Sequence, residues 1–324
     1  MRTNVYLTFD VEIWCGGWNS LDANFSRSFE RYIYGSKYRD CCGLPLVLKL
    51  LNESKLRATF FVEPLFSARF GLKYLNIIVD MILNAGHDVE LHIHPEWVDE
   101  ASRPLIENCT TKRQHLSEYT YSEQCELIRI SLDLLKNAGA SNVTAFRAGS
   151  FAVNRDTYRA LSFNRIFIDS SLNIEHPDSG KDMRGCYDFV RPSMIEDVFV
   201  LPMTVFKDGY GSLRPAQIGA AGYLELTQLL ERAQFENISE VVILSHNFEM
   251  MVQGRDIPDL VVERRFRRFC HYLELSQESC AVRTVREARA AEIGHPDENN
   301  LPEVGRMATT IRTLEQAFRR LLER

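Results

Sequence analysis

No stretch of this sequence approaches the roughly 18 uncharged apolar residues needed to span a bilayer, so membrane insertion is not expected. Ordered cysteine spacing is missing too. The 8 cysteines are irregular, Cys41-Cys42 is the one adjacent pair and no C-x-x-C occurs, which argues against a zinc ribbon or disulfide framework and for reduced thiols. Basic charge is in deficit, with 38 Lys and Arg against 44 Asp and Glu and a formal net charge of -6, which disfavours a nucleic-acid partner. There is no internal repeat and no low-complexity tract. The N-terminus opens at once on a strand pattern without a basic-then-apolar leader, and a cytoplasmic location is expected from that.

What is present is the make-up of an ordinary globular protein, 45% apolar and 25% charged over 324 residues, enough for one large core or two modest ones. Short apolar runs alternate with amphipathic stretches, the pattern of an α/β fold. Strands are expected at 4–12, 58–62, 87–93, 143–147, 165–169, 197–201, 240–245 and 281–284. Helices are expected at 44–55, 71–86 and 122–140, the last two ending in Gly or Ala-Gly just before a strand, as helix C-caps do. Seven or eight such units suggest a parallel barrel or an open parallel sheet, in one domain covering 1–288. Residues 289–324 read as a linker and an arginine-rich amphipathic helix, which can pack on the body of the protein or on a second copy of it. Residues 14–43 are long and aromatic without a clear period, the signature of a functional loop or of short helices of their own.

Parallel α/β folds place their sites at the carboxyl ends of strands. Here the first strand ends in Asp10 and Glu12, two apart on one face. The third ends in "HDVELHIHPEW", with Asp88, Glu90, His92 and His94 on one face. The fourth ends with Arg147 and a later one with His246. Each feature has an ordinary reading alone: a solvated strand end, hydrogen-bonded histidines, a surface ion pair, a core histidine. Together they offer two imidazoles and a carboxylate, the ligand set for zinc or a related divalent ion that keeps positions open for water.

"LTFDVE", "ATFFV", "GHDVELHIHPEW", "AFRAGSF", "IDSSL" and "ILSH" resemble, in order and spacing, the motifs of the polysaccharide deacetylases, the NodB-homology or carbohydrate esterase family 4 group, over roughly residues 4–286. The resemblance implies a distorted (β/α) barrel of about seven parallel strands, and a metal-dependent hydrolase that removes an N-acyl group, acetyl or formyl, from an amino sugar. It implies Asp10 as general base, Glu12, His92 and His94 as metal ligands, Arg147 steadying the base, and His246 as general acid. Zinc is the implied ion, with cobalt, nickel, iron or manganese as alternatives.

Three departures from the family pattern matter. Asp10-Val11-Glu12 stands where relatives have adjacent aspartates, so Asp10 can replace Glu12 on the ion. His92 and His94 are separated by one residue rather than three, which leaves Glu96 as a reserve ligand where the second histidine usually stands, and Glu90 as a residue that could orient a histidine. The 14–43 segment exceeds a minimal family loop, and Trp14, Trp18 and Tyr38 are candidates to shape a substrate site. The expected partner is an amino-sugar small molecule or glycan precursor, from the cytoplasmic synthesis of a surface polysaccharide. A catalytically altered sugar-binding homologue, or an amidohydrolase of a small non-sugar amide, are the alternatives.

Overall fold

The computed structural model describes residues 2–35, 42–107, 109, 111–252, 254–289 and 301–322. β1 (Thr3–Val11) alternates Val5, Leu7, Phe9 and Val11 with Asn4, Tyr6, Thr8 and Asp10, yet all nine of its residues are buried, the condition of a central strand in a parallel sheet. In chain order follow α1 (Leu21–Tyr34), α2 (Leu44–Glu53), β2 (Thr59–Val62), the single turn α3 (Ser67–Phe70), α4 (Leu72–Asn84), β3 (Asp88–Ile93), α5 (Tyr121–Asn137), β4 (Ala145–Ala148), α6 (Arg155–Phe163) and β5 (Ile168–Asp169). The second half holds β6 (Ser193–Ile195), β7 (Val198–Val200), β8 (Val205–Lys207), β9 (Leu213–Pro215), α7 (Tyr223–Phe235), β10 (Glu240–His246), α8 (Leu260–Leu275), β11 (Cys280–Arg283) and α9 (Arg306–Leu322).

Each of the eight expected strands has its counterpart, as do the three expected helices. Gly86 and Gly139, at φ 84° and 108°, take the left-handed conformation that stops α4 and α5 before the next strand. The segment 14–43 is not all loop: it carries α1, which buries Leu21, Phe25, Phe29 and Ile33 at a spacing of four. Tyr38, Cys41 and the linker residues 290–300 lie outside the described residues. No helix among the described residues is long and apolar enough to cross a membrane.

The chain forms two compact units. The first comprises Met1–Ala58, Val205–Val282 and Gly294–Arg324. In it β1 pairs in parallel with β10, in register from Asn4 opposite Glu240 to Asp10 opposite His246, and β11 also pairs with β1. Phe9 of β1 meets Phe266 of α8 edge-on, ring centres 5.7 Å apart. The second unit comprises Thr59–Thr204 and Arg283–Ile293. Its strands β2, β3, β4, β5 and β7 run parallel, and β6 closes the edge antiparallel to β7. α5 starts at a capping box in which Thr120 Oγ1 accepts the Glu123 N–H and Glu123 accepts the Thr120 N–H.

The C-terminal helix α9 packs against α7 in the first unit. Its anchor is Arg312, a buried guanidinium that donates to Glu225 at 3.0 Å and to Asp208 at 3.1 Å, both also buried. Its outward face leaves Met307, Leu314 and Phe318 exposed. Because Arg312→Ala strands two buried carboxylates, it should cost about 3–5 kcal/mol in urea unfolding. The exposed Arg320→Ala should stay within about 0.5 kcal/mol of wild type in the same measurement.

Candidate active site

In the first unit the site grows from the register of β1 on β10. Asp10 and His246 are directly opposed at the carboxyl ends of neighbouring parallel strands. Beyond them the side chain of Asn247 imitates a peptide group. Its Oδ1 accepts the Glu12 N–H at 3.0 Å, and its Nδ2 donates to the Glu12 carbonyl at 3.2 Å and to the Tyr32 carbonyl at 2.7 Å. The ladder is thereby prolonged past the last strand residue, and Glu12 is held next to Asp10. The indole of Trp14 donates to Glu12 Oε2 at 2.7 Å, which fixes the rotation of that carboxylate. Asp10 and Glu12 are both buried, and one donor atom each from Asp10, Glu12 and His246 lies within 4.8 Å of the others.

His246 is oriented through its far nitrogen. Nδ1 donates to Glu249 Oε1 at 2.9 Å, while Nε2 lies 4.0 Å from Glu12 Oε1. Burial works against the imidazolium, but the hydrogen bond to Glu249 and the charges of Glu12, Glu249 and Asp10 outweigh it and lift the pKa from 6.5 to about 9. These charges favour the imidazolium form of His246. Glu249 is itself pinned by Gln217 Nε2, by the Gly219 N–H at 2.7 Å and by Ser245 Oγ at 3.0 Å. Neither Asn247 nor Glu249 was singled out from the sequence, although "SHNFE" places a carboxylate three residues past the strand-end histidine.

In the second unit β3 delivers His92 and His94, both buried, their rings edge to face with centres 4.8 Å apart. His92 Nδ1 is 2.7 Å from the carbonyl oxygen of Arg147, which can only accept, so Nδ1 carries the proton and the lone pair of the neutral ring sits on Nε2. His94 Nδ1 is 3.3 Å from Glu96 Oε2, with the same consequence. Glu96 thus stands on the Nδ1 side of His94, on the short 3-10 turn Pro95–Glu100. Gly149 makes room for His94, since a Cβ there would lie 2.7 Å from the ring.

Glu90 does not orient a histidine. It accepts the N–H groups of Thr144 and Ala145, both at 2.7 Å, and meets Arg286 at 3.0 Å. Two residues along a strand are roughly 6–7 Å apart, so the donors at the start of β4 reach it first. Buried Glu63, at the end of β2, accepts the Leu65 and Phe66 N–H groups. Burial still raises its pKa to about 8, despite those two bonds and the nearby His94.

Arg147 on β4 is fully buried, donates through Nε and Nη2 to the carbonyl and hydroxyl of Ser170, and lies 4.3 Å over the Phe61 ring. The "IDSSL" stretch supplies this setting. Asp169, its pKa raised by burial to about 6, accepts from the hydroxyls of Ser171 and Tyr158, and Ser171 Oγ in turn accepts the Ala148 N–H.

No protein-family model and no curated protein matches the sequence. Solved structures do. A Mycobacterium smegmatis protein provisionally assigned as a polysaccharide deacetylase superposes with a TM-score of 0.55 at 18% identity, over 94% of this chain and 96% of that one. The chain has the polysaccharide deacetylase fold. That is the distorted (β/α) barrel class expected from the motifs. Weaker similarity extends to a family 4 carbohydrate esterase from Streptomyces lividans in complex with acetate, at TM-score 0.42 and 14% identity, over 91% of this chain and 98% of that one. It extends also to a family 4 pseudoenzyme from Bacillus anthracis, at TM-score 0.41 and 12% identity, over 86% of this chain and 63% of that one.

In this polysaccharide deacetylase fold, the first unit opens a cavity of about 550 Å³ beside His246, with Trp14, Tyr32 and Phe248 among its walls. Phe248 stacks on the His246 ring, centres 5.2 Å apart. Trp14 lines this cavity, whereas Trp18 is not among the residues lining it. Because the folded protein binds the His246 proton more tightly than the unfolded chain, the stability this gives is complete below pH 6.5 and is lost as the pH rises through about 9. Glu249→Gln removes a cause of the upward shift. In metal-free protein, an NMR titration of His246 should give a value lower than wild type by about one unit or more.

Proposed function

We propose that the chain is a metal-dependent hydrolase that removes an acetyl or formyl group from the nitrogen of an amino sugar. The observation that carries this is the pairing at the β1 and β10 ends: two buried carboxylates beside an imidazolium that is locked by Glu249 and faces an aromatic-walled cavity.

The donor chemistry suits a divalent ion. Both strand-end histidines engage a hydrogen-bond acceptor through Nδ1, which is how ligating imidazoles are commonly oriented, with Nε2 presented to the metal. Glu12, His92 and His94 are the proposed ligands, with Asp10 the alternative to Glu12. The indole bond to Glu12 Oε2 favours Glu12, because it orients the carboxylate through one oxygen and leaves the other to bind. Glu96 then serves by orienting His94 rather than as a ligand. His246, whose Nδ1 is held by Glu249, is assigned to proton transfer rather than to the ion. Zinc suits this mixed nitrogen and oxygen set best, and cobalt, nickel, iron and manganese remain alternatives. When bound, such an ion lowers the pKa of water to about 7 and polarises the acyl carbonyl.

The protein's own groups carry the protons. Asp10 is the proposed base that takes the proton of the attacking water, and Arg147 the residue proposed to steady it. His246 donates its Nε2 proton to the departing amine, without which the amide nitrogen cannot leave, and Glu249 holds the ring in position for that transfer. The substrate class we favour is a cytoplasmic amino-sugar precursor of a surface polysaccharide.

Treatment with a chelator should abolish deacetylation and added zinc should restore it; activity surviving complete metal removal would refute the metal reading. His92→Ala should lose bound zinc by elemental analysis. His246→Ala should keep the zinc and slow turnover about 10²–10⁴-fold. Full zinc occupancy with no turnover of any N-acylated sugar would point instead to a silent sugar-binding homologue.

A further inference from the structure

The cavity beside His246 carries two guanidinium groups that a neutral glycan does not require. Among the described residues its walls hold Arg31 of α1 and Arg319 of α9, and one carboxylate, Glu249. That carboxylate is already consumed, because its two oxygens accept from His246, Gln217, Ser245 and the Gly219 N–H.

We propose that this cavity is a subsite for a phosphate group on the substrate, bound by Arg31 and Arg319. The proposal rests on the amino-sugar hydrolase reading and adds to it the chemical class of the substrate. Both guanidinium groups are held from behind by aspartates that do not line the cavity. Arg319 donates through Nε to Asp259 Oδ2 at 2.7 Å and pairs with the same oxygen through Nη2. Arg31 approaches Asp256 through Nε at 3.0 Å, in a geometry that does not make a hydrogen bond. A guanidinium has five N–H donors, so pairing on one edge orients the group and leaves donors for a phosphate on the other. The volume of about 550 Å³ accommodates a sugar phosphate, and Trp14, Tyr32 and Phe248 are among the residues that line it. Arg319 also borders a recess of about 130 Å³, lined by Val252, Ile257, Pro258, Leu260 and Val261 and by Asp259, the carboxylate it pairs with. The phosphate can therefore come from a nucleotide-linked sugar or from one linked to a lipid, and the recess gives the second a place for the start of its chain.

The test is calorimetric binding of N-acetylglucosamine 1-phosphate and of N-acetylglucosamine to the full zinc-loaded chain. The phosphate should tighten Kd by about tenfold or more, the scale of one charge-assisted contact. In Arg319→Gln and in Arg31→Gln that ratio should fall towards one. Equal Kd values for the two sugars in the wild type would overturn the proposal. So would a ratio that persists in the double variant, or variants that weaken both sugars equally. Parallel titrations with UDP-N-acetylglucosamine and with prenyl-phosphate-linked N-acetylglucosamine distinguish the two sources. Phosphate-dependent binding without turnover would sink the hydrolase reading and leave the subsite standing, whereas turnover without phosphate preference would do the reverse.

Discussion

Seven consecutive residue pairs, from Asn4 opposite Glu240 to Asp10 opposite His246, hold β1 on β10, and the proposed chemistry depends on that register. Side chains alternate between faces along a strand, so a slip of one residue would turn Asp10 away from His246 and bury its carboxylate among apolar neighbours. The pairing itself is made of backbone hydrogen bonds and apolar burial, neither of which knows about catalysis. Asn247 extends it by one side chain, through bonds to both the N–H and the carbonyl of Glu12. The acidic pair at the end of the strand is thus a product of the same ladder that builds the core.

Burial opposes charge of either sign, and the candidate site shows both outcomes. At His246 three carboxylates overcome the burial cost and the proton is held to about pH 9. At Glu63 two backbone N–H groups and a histidine do not overcome it, and the carboxyl is pushed to about 8. Asp169 falls between, near 6, because two hydroxyls, a backbone N–H and the charge of Arg147 offset most of the cost. The sign of the shift follows the number and charge of partners more than depth in the fold.

Much of the fold was legible because short apolar runs between amphipathic stretches leave few alternatives. β6, β8 and β9 were not, because their three residues each sit outside any continuous apolar run like the one that marks β7. α1 had a readable signal in the spacing of Leu21, Phe25, Phe29 and Ile33, obscured by the polar and charged residues between them. In the candidate site, the strand-end positions of Asp10, Glu12, His92, His94, Arg147 and His246 could be read from alternation alone. Their partners could not. Glu249 reaches His246 only because the chain turns back after β10, and Glu90 went to the start of β4 and to Arg286 rather than to a histidine.

The sequence by itself determined which side chains stand at strand ends, because a period of two and a run of apolar residues suffice to place them. It also determined the α/β class and a motif order that resembles that of the polysaccharide deacetylases. Only the tertiary structure decided what each of those side chains faces. That Trp14 donates to Glu12 and that Glu249 accepts from His246 depend on how the chain turns just after β1 and β10, and that α9 brings Arg319 to the cavity Trp14 also lines depends on the packing of segments far apart in the sequence. Local pattern carries no information about such contacts, because the apolar burial that brings distant segments together is non-directional and the hydrogen bonds form only once they have met.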